Sequence, residues 1–147
     1  MPKADIEQNP SVSDDARPLG DNGWLGLQVD PRTPDRRLLA VQTRLCGRTG
    51  YLHGGCSLAA ATTAMEQAAG RPLVWATAQY LSRASVGEVV AYDTTIVSAG
   101  KLLSQVQATS RVGDRTLANY VGAFGQRNGA YGQVWPQRPD APGPAGC

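Results

Sequence analysis

The residues best suited to chemistry lie in one stretch, where a histidine and two glycines precede an alanine-rich run that ends at Gly70. Glycine has no Cβ, so the pair Gly54 and Gly55 allows another group to approach the backbone closely. If a helix begins at this pair, the N–H groups of its first turn face that group, and the helix dipole favours negative charge there. The stretch therefore predicts a site for an anion or a developing oxyanion.

Four side chains in the same stretch are candidates for a role beside the glycines. His53 either contacts a ligand or hydrogen-bonds the loop, and Cys56 lies at the helix N-terminus, where a thiol pKa can fall. Glu66 is the only carboxylate on the predicted helix, and Thr62 is its neighbour four residues earlier. Each has a structural interpretation too: a helix-edge carboxylate can be solvated, and a helical threonine can bond back to its own backbone.

The composition restricts the class of protein. With 147 residues, of which 41% are hydrophobic, the chain can form one domain with a core. The net charge of +2 comes from scattered basic residues, so no nucleic-acid partner is expected. No apolar run approaches the roughly 20 residues of a membrane span, and the acidic N-terminal region has no signal-peptide core. We therefore expect a cytoplasmic protein without a membrane partner.

The cysteine and histidine content argues against a metal centre. The three cysteines, Cys46, Cys56 and Cys147, form no Cys-x-x-Cys pair, and the chain contains a single histidine. An odd number of cysteines without metal spacing predicts free thiols in a reducing compartment. We expect neither a metal nor a cofactor.

One helix should position the glycine pair. It is predicted over residues 55–69, with Gly70 as its C-terminal cap and Pro72 preventing continuation. The abundance of alanine allows a sheet to wrap closely around it. Its core-facing stripe is predicted to consist of Leu58, Ala61, Thr62, Met65 and Ala69.

Four strand-like runs follow the helix, separated by short turns at 98–100 and 113–114. Before the helix, residues 37–46 predict a strand, Trp24 to Val29 a short strand or helical turn, and Pro31 with Pro34 a loop. Long β runs after one helix favour an antiparallel sheet packed on that helix, which is an α+β architecture. The four later strands are predicted over residues 73–81, 89–97, 102–112 and 116–124.

The chain is predicted to contain one ordered domain with polar ends. We place a flexible arm over residues 1–20, the domain over residues 21–135 and a Pro/Gly-rich tail over residues 136–147.

Three segments carry a resemblance to a known family. Leu52-His53-Gly54-Gly55 is similar to the helix opening of single-domain hotdog thioesterases. The segment from Tyr80 to Glu88 is similar to the turn after the strand that follows the helix, and the segment from Gly113 to Ala118 to the hairpin before the last strand. Over about residues 45–127 the chain resembles the hotdog-fold acyl-CoA thioesterase superfamily.

One further feature narrows the resemblance within that superfamily. The form Tyr80-x-x-Arg83, with Tyr92-Asp93 beyond it, resembles the N-terminal hotdog unit of acyl-CoA thioesterase II. The His-Gly-Gly opening resembles the single-domain thioesterases. The resemblance implies that such a unit would stand alone here, whereas in acyl-CoA thioesterase II it is half of a double hotdog.

The resemblance implies a fold, a substrate and an assembly. The fold is a single hotdog, an antiparallel β-sheet wrapped around a central α-helix, and the substrate is an acyl-CoA or acyl-carrier thioester. Hotdog units pair as homodimers, often as dimers of dimers, with the thioester pocket at the dimer interface. A backbone N–H at the glycine start of the helix holds the substrate carbonyl oxygen. A carboxylate further along the helix, usually the partner subunit's, activates water or attacks directly.

Thioester hydrolysis needs an oxyanion donor and a base for water. The N–H of Gly54 or Gly55 can supply the donor without any side chain. In the His-Gly-Gly branch of the family the catalytic Asp follows the histidine by nine residues, and that position here is Thr62. We therefore expect Thr62 to position the water, and Glu66, about 6 Å further along the helix, to accept its proton.

The predicted site leaves two alternatives to a thioesterase. One is a non-catalytic module that binds an acyl thioester or another hydrophobic ligand in the same pocket. The other is an enoyl-thioester hydratase or dehydratase, for which His53 and Glu66 are the only available pair. Arg83 could meet a phosphate of CoA. The predicted catalytic residues are Gly55, Thr62 and Glu66, and the predicted substrate-binding residues are His53, Gly54, Cys56, Gln79 and Arg83.

Overall fold

The computed structural model describes residues 23–125. The predicted arm over residues 1–20, the predicted tail over residues 136–147 and Cys147 lie outside them. The elements are strands β1 (Gln28–Asp30) and β2 (Thr33–Ala40), a 3-10 turn (Thr43–Leu45), helix α1 (Gly54–Ala69), and strands β3 (Leu73–Tyr80), β4 (Val89–Ala99), β5 (Leu103–Val112) and β6 (Arg115–Gly125).

The six strands form one antiparallel sheet around the helix. Their order across the sheet is β1-β2-β4-β5-β6-β3, and every neighbouring pair is antiparallel. Helix α1 lies against strands β2 to β6. This arrangement is a single hotdog, and it confirms the predicted α+β class.

The ends of α1 follow from its sequence. His53 is the N-cap, with extended backbone, and its side chain accepts a hydrogen bond from the Gly55 N–H. At the other end Gly70 has a φ of 61°, in the left-handed region that glycine adopts without strain, and its N–H donates to the Glu66 carbonyl at 2.8 Å. The cap at Gly70 and the stop before Pro72 were both predicted.

The buried face of α1 differs from the predicted stripe. Ala61 and Met65 are fully buried as predicted, whereas Leu58 is only half-buried, as are Thr62 and Ala69. Because the centre of the buried face lies closest to the sheet, small side chains occupy it, and Leu58 lies at its edge. The buried residues of the helix are Ser57, Ala60, Ala61, Ala64 and Met65.

The segment before the helix corrects two predictions. Pro34, predicted in a loop, lies within β2. Proline is tolerated there because the paired registers of β2 with β1 and with β4 do not include it, so no ladder donor is lost. Residues 37–46, predicted as one strand, divide instead at Ala40, the last residue of β2.

A 3-10 turn replaces the second half of that predicted strand. The Leu45 N–H donates to the Gln42 carbonyl, and the Cys46 N–H donates to the Thr43 carbonyl. The Leu45 carbonyl then accepts the His53 N–H at 2.9 Å. The turn therefore fixes the residue from which α1 begins.

The strands after the helix agree with the prediction to within two residues. The largest difference is in β4, which continues to Ala99 because a bulge between Ile96 and Ser98 allows its pairing with β5 to go on. The predicted turn at residues 113–114 connects β5 to β6.

Candidate active site

A cleft of about 210 Å³ opens beside the start of α1. It lies between the helix, the end of β3, the loop after β3 and the beginning of β6. No histidine or carboxylate lines it among residues 23–125, and Arg83 is its single charged lining residue. The lining residues are Leu52, Gly54, Ser57, Tyr80, Ser82, Arg83, Ala84, Leu117 and Ala118.

The first peptide groups of α1 form one wall of the cleft. The Tyr80 hydroxyl donates to the Gly54 carbonyl at 2.6 Å, and the Gly55 N–H donates to His53 Nδ1 at 3.2 Å. A Cβ at Gly54 would lie 3.3 Å from the Tyr80 ring, so glycine allows this close approach. The predicted helix opening is thus in direct contact with a tyrosine that the sequence analysis did not assign to the site.

A cluster of buried hydroxyl groups lies behind the cleft. Ser57 Oγ is 2.6 Å from the Tyr120 hydroxyl and 3.1 Å from the Tyr92 hydroxyl, and Ser110 Oγ is 3.2 Å from the Tyr120 hydroxyl. All four residues are buried, and Ser57 also lines the cleft. The hydroxyls satisfy one another, as buried polar groups require. We call these four residues the hydroxyl cluster.

The hydroxyl cluster makes stability depend on pH in the alkaline range. Burial raises the pKa of Tyr92 and of Tyr120 above the ordinary value of 10.0. Since the pKa of each buried phenol exceeds its value in the unfolded chain, the contribution of the protonated phenols to stability is complete below about pH 10 and is lost as the pH rises beyond it.

We expect the free energy of unfolding, measured in urea from pH 8 upward, to fall above about pH 10. The fall should be shallower in Tyr92→Phe, and equal slopes in the two proteins would contradict this.

The loop after β3 is braced against the β5–β6 turn. Arg115 makes an ion pair of 2.6 Å with Glu88 and also donates to the Arg83 carbonyl and to Ser82 Oγ. Glu88 in turn accepts the Ser85 N–H at 2.7 Å. The Ser85 N–H and Arg115 lower the pKa of Glu88, so the carboxylate stays charged at neutral pH. These contacts fix the wall that carries Arg83.

The predicted substrate-binding residues divide into two groups. Gly54 and Arg83 line the cleft, whereas His53 and the predicted catalytic Gly55 are not among its lining residues and are joined to each other by the bond from the Gly55 N–H to His53 Nδ1. The Arg83 guanidinium lies 4.8 Å from the centre of an aromatic ring, that of Tyr51.

The remaining two do not line the cleft. Cys56 is half-buried and packs against the hydrophobic core. Gln79 is exposed on β3, where alternation places it on the face opposite to Tyr80.

The predicted base and its helper lie further along α1. Thr62 Oγ1 donates to the Ala59 carbonyl at 3.0 Å. Glu66 Oε1 accepts the Leu73 N–H at 2.7 Å and so connects the end of the helix to the start of β3. From Gly54 to Glu66 the helix rises about 18 Å, so Glu66 does not reach the cleft of its own chain. The same separation keeps Glu66 away from His53.

Among residues 23–125, no group of three or more His, Cys, Asp or Glu side chains is placed to hold a metal ion. In the same range, no helix is both long and apolar enough to cross a membrane. Cys46 and Cys56 are free thiols, and burial raises the pKa of Cys46.

Solved structures with the same fold include several thioesterases. A candidate thioesterase from Novosphingobium aromaticivorans is 29% identical, with a TM-score of 0.69 over 82% of this chain and 48% of its own. A TesB protein from Mycobacterium avium subspecies paratuberculosis is 24% identical, with a TM-score of 0.61 over 76% of this chain and 43% of its own. The chain spans about half the length of either protein.

A protein that is shorter than these two has the same fold and was solved with a ligand bound. The protein from Streptococcus mutans, solved with acetyl CoA, is 15% identical, with a TM-score of 0.59 over 62% of this chain and 79% of its own. No curated protein matches the chain by sequence.

A family model matches the whole region that builds the cleft. The model describes the acyl-CoA thioesterase N-terminal domain, and it matches residues 46–125, more than half of the chain. The match begins in the turn before α1 and includes both walls of the cleft and the hydroxyl cluster. By this match and by its hotdog fold, the chain belongs to the acyl-CoA thioesterase N-terminal domain family.

Proposed function

We propose that the chain hydrolyses an acyl-CoA or acyl-carrier thioester to a free acid and a thiol. The observation that carries the proposal is the cleft at the start of α1, which Gly54 and Arg83 both line. The family of the chain and the acetyl CoA bound to a protein of the same fold support this substrate class. In this proposal Arg83, which lines the cleft, would bind a phosphate of CoA.

The first peptide groups of α1 would stabilise the charge that develops during hydrolysis. Water attacks the thioester carbonyl carbon, the new C–O bond forms, and the carbonyl oxygen becomes an oxyanion. The N–H of Gly55, or that of Gly54, donates to this oxyanion at the positive end of the helix dipole. The intermediate then collapses, the C–S bond breaks, and the thiolate leaves and takes up a proton.

The base in this mechanism comes from a second copy of the chain. Among the described strands β3 pairs only with β6, so its other edge is open beside the cleft. Val74, Trp75 and Leu81, on or just after this strand, are exposed. A homodimer formed along β3 would cover these side chains and bring the partner's helix towards the cleft. There Glu66 of the second copy would accept the proton of the water that its Thr62 positions.

The proposal is tested by steady-state hydrolysis of a panel of acyl-CoA substrates with short, medium and long acyl chains. We expect saturable release of CoA thiol from at least one of them, followed with a thiol reagent. Gly54→Val is the inactive control, because its side chain would collide with Tyr80 at the cleft wall. Release of thiol from no substrate by the wild-type protein would overturn the proposed reaction.

A second candidate is a non-catalytic module that binds acyl thioesters. It is favoured by the cleft lining of a single chain, which contains no carboxylate among residues 23–125, and by the bond that engages Glu66. Calorimetry with a non-hydrolysable acyl-CoA analogue separates the two functions. Binding of the analogue without turnover of any substrate in the panel would establish the module.

A further inference from the structure

One peptide group joins the Tyr80 hydroxyl to the proposed oxyanion donor. The carbonyl of Gly54 and the N–H of Gly55 belong to the same planar amide. The Tyr80 hydroxyl donates to that carbonyl at 2.6 Å, while the N–H points away from it and is held at the longer distance of 3.2 Å by His53 Nδ1. A substrate oxygen that takes over this N–H therefore displaces only a weak bond.

A hydrogen bond to an amide oxygen strengthens the donor at the other end of the amide. It withdraws electron density from the oxygen, and resonance passes the effect to the nitrogen, so the N–H becomes more positive. When the donor is strengthened in this way, its hydrogen bond to an oxyanion becomes stronger by more than its hydrogen bond to a neutral carbonyl does.

The surroundings of Tyr80 keep its hydroxyl in place. The ring packs on Gly54, where no Cβ intervenes, and meets the Tyr120 ring edge-on with 6.5 Å between ring centres. Burial and the neighbouring Tyr120 raise the pKa of Tyr80 above its ordinary value, so the phenol stays protonated and donates throughout the neutral range.

We propose that Tyr80 is a positioning residue: its hydroxyl holds and polarises the Gly54–Gly55 peptide, so that the Gly55 N–H binds the oxyanion more tightly than the substrate carbonyl. This inference rests on the proposed thioesterase function. It assigns the donor role to the N–H of Gly55 over that of Gly54. It also predicts that loss of the hydroxyl lowers kcat more than it raises KM, because the ground-state carbonyl gains little from polarisation.

The variant Tyr80→Phe tests the inference, because it keeps the ring and removes only the hydroxyl. We expect kcat for the best acyl-CoA substrate to fall about 10-fold, with KM changed less than about 2-fold. Tyr51→Phe is the matched control. It removes a phenol hydroxyl that has no hydrogen-bond partner in the described chain, and it keeps the ring beneath Arg83. Its kcat should equal that of the wild type.

A second measurement does not depend on turnover. In NMR spectra of the labelled protein, the Gly55 amide proton should move upfield in Tyr80→Phe and stay in place in Tyr51→Phe, because a less polarised N–H is better shielded. An unchanged Gly55 shift would overturn the polarisation, whatever the activity. An unchanged kcat in Tyr80→Phe, with an active wild type, would overturn the role of Tyr80 and leave the proposed function standing. A wild type that hydrolyses no substrate would overturn both the proposed function and the catalytic role.

Discussion

Replacing Glu66 by glutamine is expected to lower kcat for acyl-CoA hydrolysis about 100-fold or more, the usual effect of losing a general base. The glutamine Oε1 can still accept the Leu73 N–H, so the connection between α1 and β3 should persist. The free energy of unfolding should therefore change little. Steady-state rates and urea denaturation of the same preparation measure the two quantities. A carboxylate that served only the Leu73 N–H would leave kcat unchanged in this variant.

Two further proteins sharpen the test of Glu66. Asp114→Asn removes one carboxylate charge from the exposed β5–β6 turn, and its kcat should match that of the wild type.

If Glu66 acts on the cleft of a second copy, Glu66→Gln and Gly54→Val should complement each other. A statistical mixture of the two in dimers contains one intact site in each mixed dimer and should regain about one quarter of the wild-type rate. A mixture as inactive as its components would exclude a base donated across the dimer.

Replacing Ser57 by alanine is expected to lower the free energy of unfolding by about 1–3 kcal/mol. The Tyr92 hydroxyl has Ser57 as its hydrogen-bond partner among the described residues, so the variant leaves a fully buried phenol without a partner. The Tyr120 hydroxyl loses the same serine as a hydrogen-bond partner but keeps its bond to Ser110. Urea denaturation at neutral pH measures the loss, and Ser98→Ala, at an exposed position in β4, is the control.

The double variant identifies the cause of that loss. In Ser57→Ala with Tyr92→Phe, both partners of the bond are absent and no phenol is stranded. The double variant should therefore be more stable than the sum of the two single losses predicts. Strict additivity would show that Ser57 stabilises the fold through its packing and not through the Tyr92 hydroxyl.

Much of the fold was predictable because its signals are local. Gly70 and Pro72 mark the end of α1, and alternation with short turns marks the strands that follow. The region before the helix was less predictable. Pro34 normally argues against a strand, and only the pairing register shows that its missing N–H is not needed. The choice of buried face on α1 also depended on how closely the sheet approaches, which periodicity alone does not contain.

The candidate site, too, was predictable only where its signals are local in the sequence. The glycine start of α1 was predictable from Gly54 and Gly55, whose chemistry lies in the backbone. The hydroxyl cluster was not, because Ser57 lies 35 residues from Tyr92 and 63 from Tyr120 in the chain. One signal was available: Tyr92 and Tyr120 alternate in phase with the buried Val90 and Ala118, which places both phenols inside and in need of partners.

The alanines of α1 decide where substrate range can be changed by engineering. Ala60, Ala61 and Ala64 lie directly against the sheet, and each is almost completely buried. Enlarging any of them would force the sheet away from the helix, at about 1–3 kcal/mol for each overpacked position. Leu52, by contrast, is only half-buried where it lines the cleft, so it can be exchanged at a lower cost in stability. A library that varies the half-buried residues of the cleft lining and keeps Ala60, Ala61 and Ala64 constant should therefore yield folded variants with altered acyl preference.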